Sequence, residues 1–299
     1  MTAVETQLAT EGGRSCPVCA SVSQPRLDLG DFQLLRCDDC GCWASDAQVR
    51  GAETSFVPAT YFGNADLDRD KWEALFSRLG AAVGGIRSVL DVGCGTGAYL
   101  GWLRERLPRV RCEGIELDPQ RAAAAAATNP QARIHAADAL AGLAHTSGPF
   151  DLITLWDVFE HVTAPARLLH GLARQLAEGG RIYLQTINEQ SVMPALGRAS
   201  YHASFGRLRF AARRTHEPHH LVFFTRRGLE RAANGAGLGV RELWFDRLHR
   251  GRMDGHPLVT GATSLLLRAE NALGSGLFIN VLLEHAEPSS DSARSNGAD

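Results

Sequence analysis

The stretch Ser88-Val-Leu-Asp91-Val-Gly93-Cys-Gly95-Thr-Gly97-Ala-Tyr-Leu100 decides the fold. Val89, Leu90 and Val92 form a short apolar run, which reads as a buried strand. Glycine then follows at every second position, and the spacing of Leu100, Leu103 and Leu107 predicts an amphipathic helix that ends at Pro108. Glycine lets a chain turn sharply and approach a ligand without Cβ clashes. The helix N-terminus behind it offers free N–H groups to whatever lies above the loop. Strand, glycine loop and helix in that order predict a cofactor loop at the edge of an α/β sheet. Gly93-x-Gly95-x-x-Ala98 also satisfies the relaxed dinucleotide fingerprint, so two cofactor classes compete for the loop. Asp91, two residues before the first glycine, separates them. A carboxylate there suits a ligand carrying positive charge and sits awkwardly beside a pyrophosphate.

Composition bounds the rest. The chain has 299 residues and 44% apolar residues, enough for one large domain with a true core plus a small one. Its formal net charge of -2 gives no global signal for nucleic acid. Lys71 is the single lysine; every other basic residue apart from histidine is arginine. No run of about 18 apolar residues exists, so no transmembrane helix is expected. The first residues lack a basic segment followed by an apolar one, so no secretion signal is expected and the chain should stay in the cytoplasm. There, paired cysteines indicate metal more often than a disulfide.

Cys16-Pro-Val-Cys19 and Cys37-Asp-Asp-Cys40 stand seventeen residues apart. Two such knuckles read as a four-cysteine zinc site, since tetrahedral Zn²⁺ takes four thiolates. Arg26-Leu-Asp-Leu and Phe32-Gln-Leu-Leu-Arg between them read as short strands, which completes a zinc ribbon over residues 15–45. Cys42 reads as a small packed residue outside the ligand set. Residues 1–14 are polar and small and are expected to be flexible, and 46–67 read as a linker in which Tyr61 either flanks the cofactor or docks the linker. Trp72, Leu75, Phe76 and Leu79 have the spacing of an amphipathic helix that precedes the first strand.

Beyond the glycine loop the chain alternates strands and helices. Arg111–Glu116 reads as the second strand. Glu116, nineteen residues past Gly97, stands where a doubly wound fold bridges ribose hydroxyls. Asp118 is a candidate cap for the helix at Pro119. Arg133–Asp138, Phe150–Trp156, Glu178–Ile187, Arg241–Phe245 and Leu277–Leu283 read as further strands. A helix from Pro165 to Ala177 carries proline in its first turn, and another is capped by Thr225. An amphipathic helix is expected over 257–273 and a disordered tail over 287–299.

Asp91 followed by the alternating glycines resembles motif I of class I S-adenosylmethionine (SAM) methyltransferases. Gly114-Ile-Glu116-Leu-Asp118-Pro resembles their motif II. Asp157-Val-Phe-Glu160-His161-Val resembles the signature after the fourth strand in the ubiquinone-biosynthesis-like group. The resemblance covers about 220 residues, from the helix near Trp72 to Leu283, and implies a methyltransferase domain over 68–286. It implies a Rossmann-like α/β fold with a seven-stranded sheet of order 3-2-1-4-5-7-6, the last strand antiparallel, and helices on both faces. It implies SAM as cofactor, bound by Asp91, Gly93, Gly95, Gly97, Glu116, Asp138, Trp156 and Asp157. In the family an acid at Asp138 accepts from the adenine amino group.

The resemblance leaves the chemistry after the fourth strand open. His161 is the first candidate for a general base and His220 the second, because imidazole titrates near neutral pH. Alternatively, Asp157, Glu160 and His161 share one face if the segment is helical, and with His220 they resemble the acid-acid-histidine-histidine metal site of small-RNA terminal 2′-O-methyltransferases. A third reading is a capping box from Asp157 to Glu160.

Residues 188–220 read as a lid insertion. Its Arg198, Arg207, Arg209, Arg213 and Arg214, with no acid between Ser191 and His216, suit an anionic acceptor or form a solvated basic helix. A ribbon joined to this fold resembles sugar C-methyltransferases and other tailoring enzymes. The function expected is methylation, at oxygen or carbon, of a small-molecule or sugar-conjugate acceptor. One alternative is an RNA methyltransferase gripping RNA through the ribbon, as in the ribosomal guanine methyltransferases. Another is a non-catalytic SAM-binding or zinc scaffold protein.

Overall fold

The computed structural model describes residues 13–47, 65–246 and 275–286. The ribbon region forms β1 (Arg14–Ser15), β2 (Val22–Asp28), β3 (Gln33–Cys37) and β4 (Trp43–Ser45). Helix α1 (Ala65–Leu79) runs into a 3-10 turn and then β5 (Ser88–Val92), α2 (Ala98–Arg106), β6 (Arg111–Glu116), α3 (Pro119–Thr128) and β7 (Arg133–Ala136). Next come α4 (Ala139–Gly142), β8 (Phe150–Trp156), a 3-10 turn at Phe159–His161, α5 (Pro165–Gln175) and β9 (Leu176–Ile187). The chain continues as α6 (Val192–Ala203), α7 (Phe210–Thr215), β10 (Val222–Phe223), α8 (Arg226–Gly235), β11 (Leu238–Asp246) and β12 (Phe278–His285).

The main sheet has the order β11-β12-β9-β8-β5-β6-β7. Counted along this sheet alone, that is the expected 3-2-1-4-5-7-6. Strands β5 to β9 pair in parallel, and β12 pairs antiparallel with both β9 and β11. Successive side chains along a strand point to opposite faces, which sorts the apolar residues into two cores. Leu90, Val92, Ile153, Leu155, Ile182 and Leu184 meet α5 and α8 on one face. Val89, Leu152, Tyr183 and Leu282 meet Trp72, Leu75, Phe76 and Leu79 of α1 and Leu100 and Leu103 of α2 on the other. Continuous apolar strands follow from burial on both faces.

Three boundaries differ from expectation. Helix α5 stops at Gln175, because β9 begins at Leu176 and its register against β8 shifts between Phe150 and Leu152, with Gly179 at φ +70° in the irregular stretch. The region after β9 contains two helices, α6 and α7, packed on the ribbon. The ribbon sheet, β1-β2-β3-β4-β10, takes its last strand from residues 222–223, far along the chain. Leu27, Leu29, Phe32, Leu34 and Trp43 share a core with Ala212 of α7 and Phe223 of β10. Ribbon and main domain are therefore one packed body. Tyr61, the helix expected over 257–273 and the tail from 287 lie outside the described residues. Among the described residues, no helix is long and apolar enough to cross a membrane.

Candidate functional site

The carboxyl ends of β5, β6, β8 and β9 converge on one edge of the sheet. There Gly93, Gly95 and Gly97 adopt φ of +76°, +55° and +83°. A Cβ on Gly93 would lie 2.3 Å from Val158, and one on Gly97 would lie 2.4 Å from the Asn129 amide. Packing demands glycine at both positions. A Cβ on Gly95 would meet nothing within 4 Å, so this glycine borders open space at the N-terminus of α2. Glu116 braces the loop: Oε2 accepts from the Gly95 N–H at 2.9 Å and Oε1 from the Asp118 N–H at 2.9 Å. Arg121 lies 3.2 Å from the same carboxylate. Asp91 is buried and accepts from the Thr154 hydroxyl at 2.7 Å. Burial, with the Glu116 charge adding, pushes its carboxyl up to about 7. A cationic ligand group would favour the ionised form.

Asp118 caps α3 as expected, accepting from Gln120 and Arg121 N–H groups, and Asp138 caps α4 through the Leu140 N–H. Trp156 ends β8 against Tyr183, with ring centroids 4.3 Å apart. Its buried Nε1 has no hydrogen-bond partner among the described residues. An open glycine, a braced acid on the neighbouring strand, a buried acid behind them and a spare indole N–H fit a nucleoside cofactor with a cationic arm.

After β8 the structure departs from two expectations. The segment is a 3-10 turn of three residues, so the i, i+3, i+4 helical face does not form. Nor does the capping box: Asp157 sits at φ +53° and pairs with Lys71 Nζ at 3.3 Å, while Glu160 accepts from the Thr186 hydroxyl at 2.8 Å. Glu160, His161 and His220 do come together, with one ligand atom of each within 4.8 Å of the others. Asp157 is outside that set. Burial, then repulsion from Asp157, pushes the Glu160 carboxyl up to about 8. Burial holds His161 and His220 below the usual histidine range. His161 Nδ1–H donates to the His219 carbonyl at 2.8 Å, which leaves the Nε2 lone pair available. The buried His220 Nδ1 has no partner among the described residues.

The four predicted ligand cysteines also meet. Cys16 and Cys40 sulfurs are 3.6 Å apart, Cys19 and Cys37 sulfurs 3.5 Å apart, and all four lie within 4.8 Å. Tetrahedral zinc with bonds of about 2.3 Å places its sulfurs roughly 3.8 Å apart, so the donor set fits. Cys42 lies outside it, packed against Thr225. The arginines of 198–214 are mostly engaged within the chain. Arg198 pairs with Glu189, Arg209 with Asp28 and Arg213 with Asp31. Arg207 and Arg214 are exposed.

A profile described as a methyltransferase domain matches residues 65–243. The chain belongs to this methyltransferase-domain family. Ubiquinone biosynthesis O-methyltransferase of Aeromonas salmonicida is 28% identical over 207 residues, which cover 64% of this chain and 76% of that protein. The protein of that name from Xanthomonas oryzae pv. oryzae is 32% identical over 116 residues, 36% of this chain. This methyltransferase-domain chain spans about half, 46%, of that relative's length. Geranyl diphosphate C-methyltransferase from Streptomyces coelicolor A3(2), solved with Mg²⁺, geranyl diphosphate and S-adenosyl-L-homocysteine, has a TM-score of 0.51 at 17% identity. The match covers 74% of this chain and 78% of that one, and it establishes the shared fold.

Sequence reasoning about this methyltransferase domain missed several site-forming contacts. Lys71 bridges Asp157 and Gln185, the latter at 2.7 Å, and ties α1 to the loop after β8. Its being the single lysine was the available signal. Glu189 and His216 form a buried pair at 3.0 Å beneath α6 and α7. Nothing in their spacing announces it, because 27 residues separate them.

Proposed function

We propose that this chain is a SAM-dependent methyltransferase acting on a small-molecule acceptor, at oxygen or carbon. The observation that carries the reading is the glycine loop at the end of β5, braced by Glu116 at the end of β6. In a doubly wound sheet that is the ligand crevice. Bound SAM would supply an electrophilic methyl group on a sulfonium. Asp91, Gly93, Gly95, Gly97, Glu116, Asp138, Trp156 and Asp157 would hold it, with the methyl group toward the turn at Phe159–His161. The chain's own contribution is alignment, worth up to about 7–11 kcal/mol in the best intramolecular cases. His161 keeps Nδ1 protonated through the His219 carbonyl, so its Nε2 lone pair would take the acceptor's proton when the methyl group passes from sulfur to acceptor, the sulfur leaving as the neutral thioether of S-adenosylhomocysteine. Such a base contributes roughly 10²–10⁴-fold.

The four cysteines would hold a structural zinc. The described part of the ribbon is too small to support its own core, and metal binding then serves as folding energy. An acceptor with anionic groups would meet Arg207 and Arg214, since Arg198, Arg209 and Arg213 spend their charge within the chain. The nearly neutral total charge weighs against RNA.

The closeness of Glu160, His161 and His220 favours a second reading. One carboxylate and two neutral imidazoles would ligate a divalent cation that binds the acceptor oxygen. Titration calorimetry with S-adenosylhomocysteine (SAH) and with NAD tests the cofactor assignment. SAH binding with NAD weak supports it; tight NAD binding with no SAH signal sinks it. Turnover after EDTA dialysis mild enough to leave the ribbon zinc in place, as checked by elemental analysis, separates base from metal: the base reading expects activity to survive, the cation reading expects loss reversed by Mg²⁺ or Mn²⁺.

A further inference from the structure

The second cysteine knuckle is docked on the segment that carries His219 and His220. The Thr225 hydroxyl donates to the Cys40 carbonyl at 2.8 Å and accepts from the Gly228 N–H at 3.0 Å. One hydroxyl thus joins the knuckle to the N-terminus of α8. Cys42 fills the space over Gly228, where a Cβ would lie 2.0 Å from its sulfur. Asp39, between two of the ligand cysteines, accepts from the Ser21 hydroxyl at 2.8 Å and pairs with Arg227 and Arg231 of α8.

The same segment reaches the acceptor side through β10. Val222 and Phe223 pair with Ala44 and Trp43 of β4. Just before them, the Leu221 carbonyl accepts from the Ser45 N–H at 2.8 Å, and the Leu221 N–H donates to the Glu160 carbonyl at 2.8 Å. A continuous run of bonds therefore leads from Cys40 through Thr225 and β10 to Glu160, beside His161. Strands of two and three residues do not persist alone. Their order depends on what closes the ribbon. Helix α2, which follows the glycine loop, packs in the opposite core, to which no ribbon residue contributes among the described residues.

We propose that the four-cysteine metal centre is a positioning device for the acceptor wall, with Thr225 as the positioning residue that transmits its state. This rests on the methyltransferase reading above. With the knuckle closed on metal, residues 219–224 are held against Glu160 and His161. With it open, that wall loosens while the cofactor loop keeps its shape.

The test is hydrogen–deuterium exchange on the full zinc-loaded chain, comparing wild type, Thr225→Val and Thr225→Ser, alongside elemental zinc and SAH calorimetry. Thr225→Val should keep its zinc and bind SAH within twofold of wild type. Its exchange over 219–224 should rise about tenfold, the loss of roughly one net hydrogen bond of local stability. Thr225→Ser should restore protection, and chelation of wild type should reproduce the loosened pattern. Unchanged exchange over 219–224, both after chelation and in Thr225→Val, overturns the proposal. So does a rise spread equally over β5 to β9, which marks general destabilisation. Failure of wild type to bind SAH overturns the methyltransferase reading instead and leaves the exchange result standing.

Discussion

Replacing Glu116 with alanine tests the cofactor crevice at its brace. In the folded chain its two oxygens satisfy the Gly95 and Asp118 N–H groups, each at 2.9 Å. Truncation leaves both donors unpaired and removes the ion pair of Glu116 with Arg121. A buried donor left unpaired costs about 1–3 kcal/mol, and the half-buried loop lets water recover part of that. A net loss of about 2 kcal/mol is therefore expected without ligand. For a domain of this size, each kcal/mol lowers the melting midpoint by roughly 2–4 °C, so the fall should be about 4–8 °C. Cofactor binding loses further, because the loop must be re-ordered and any ribose contact is gone. A loss of about 1–3 kcal/mol corresponds to roughly 5–150-fold in Kd. Thermal melts followed by circular dichroism read the first quantity, and calorimetry with SAH reads the second. Glu116→Gln should fall between, because one amide oxygen satisfies one N–H and the amide nitrogen faces the other. The reasoning is refuted if Glu116→Ala binds SAH within twofold of wild type and melts at the same temperature.

Three other perturbations bear on separate parts of the site. Cys37→Ser should lose its zinc by elemental analysis and loosen the ribbon while SAH still binds; full zinc retention would mean that the ligands are misassigned. Burial holds Asp91 at about 7, so the folded chain keeps a proton that the unfolded chain releases from about pH 4 upward. The stability this contributes is whole below about pH 4 and is lost as pH rises through 7, on the order of 1 kcal/mol per unit crossed. Urea titrations of the ligand-free protein should therefore show Asp91→Asn gaining on wild type from pH 5 to 7.5, and a constant difference would contradict the burial argument. His161→Ala should cut turnover roughly 10²-fold or more with SAH affinity kept within a few-fold, once mass spectrometry of a co-purified ligand has identified the acceptor. If both His161→Ala and His220→Ala keep full activity, neither the base nor the metal reading survives.

The strands and helices of the main domain were legible in the chain because they depend on local patterns, while their order in the sheet came from the resemblance to class I SAM methyltransferases carried by the glycine loop and the motifs after it. Apolar runs of strand length alternate with helical periodicity, and right-handed crossovers leave few ways to arrange them. The glycine loop was equally legible, since left-handed backbone at Gly93, Gly95 and Gly97 excludes most side chains. The two cysteine knuckles announced their own meeting, because each brings two sulfurs together within a four-residue turn.

Other features depend on residues far apart in sequence, and only the tertiary structure decided them. Which partner an arginine takes is one: Arg209 and Arg213 look like an anion site in sequence, yet they face Asp28 and Asp31, more than 180 residues away. Asp157 left its expected group because Lys71, 86 residues earlier, stands beside it. The ribbon looked like a separate module until β10 supplied its last strand. Charge pairing and edge-strand pairing are satisfied by whichever partner packing delivers, and sequence spacing carries no record of that partner.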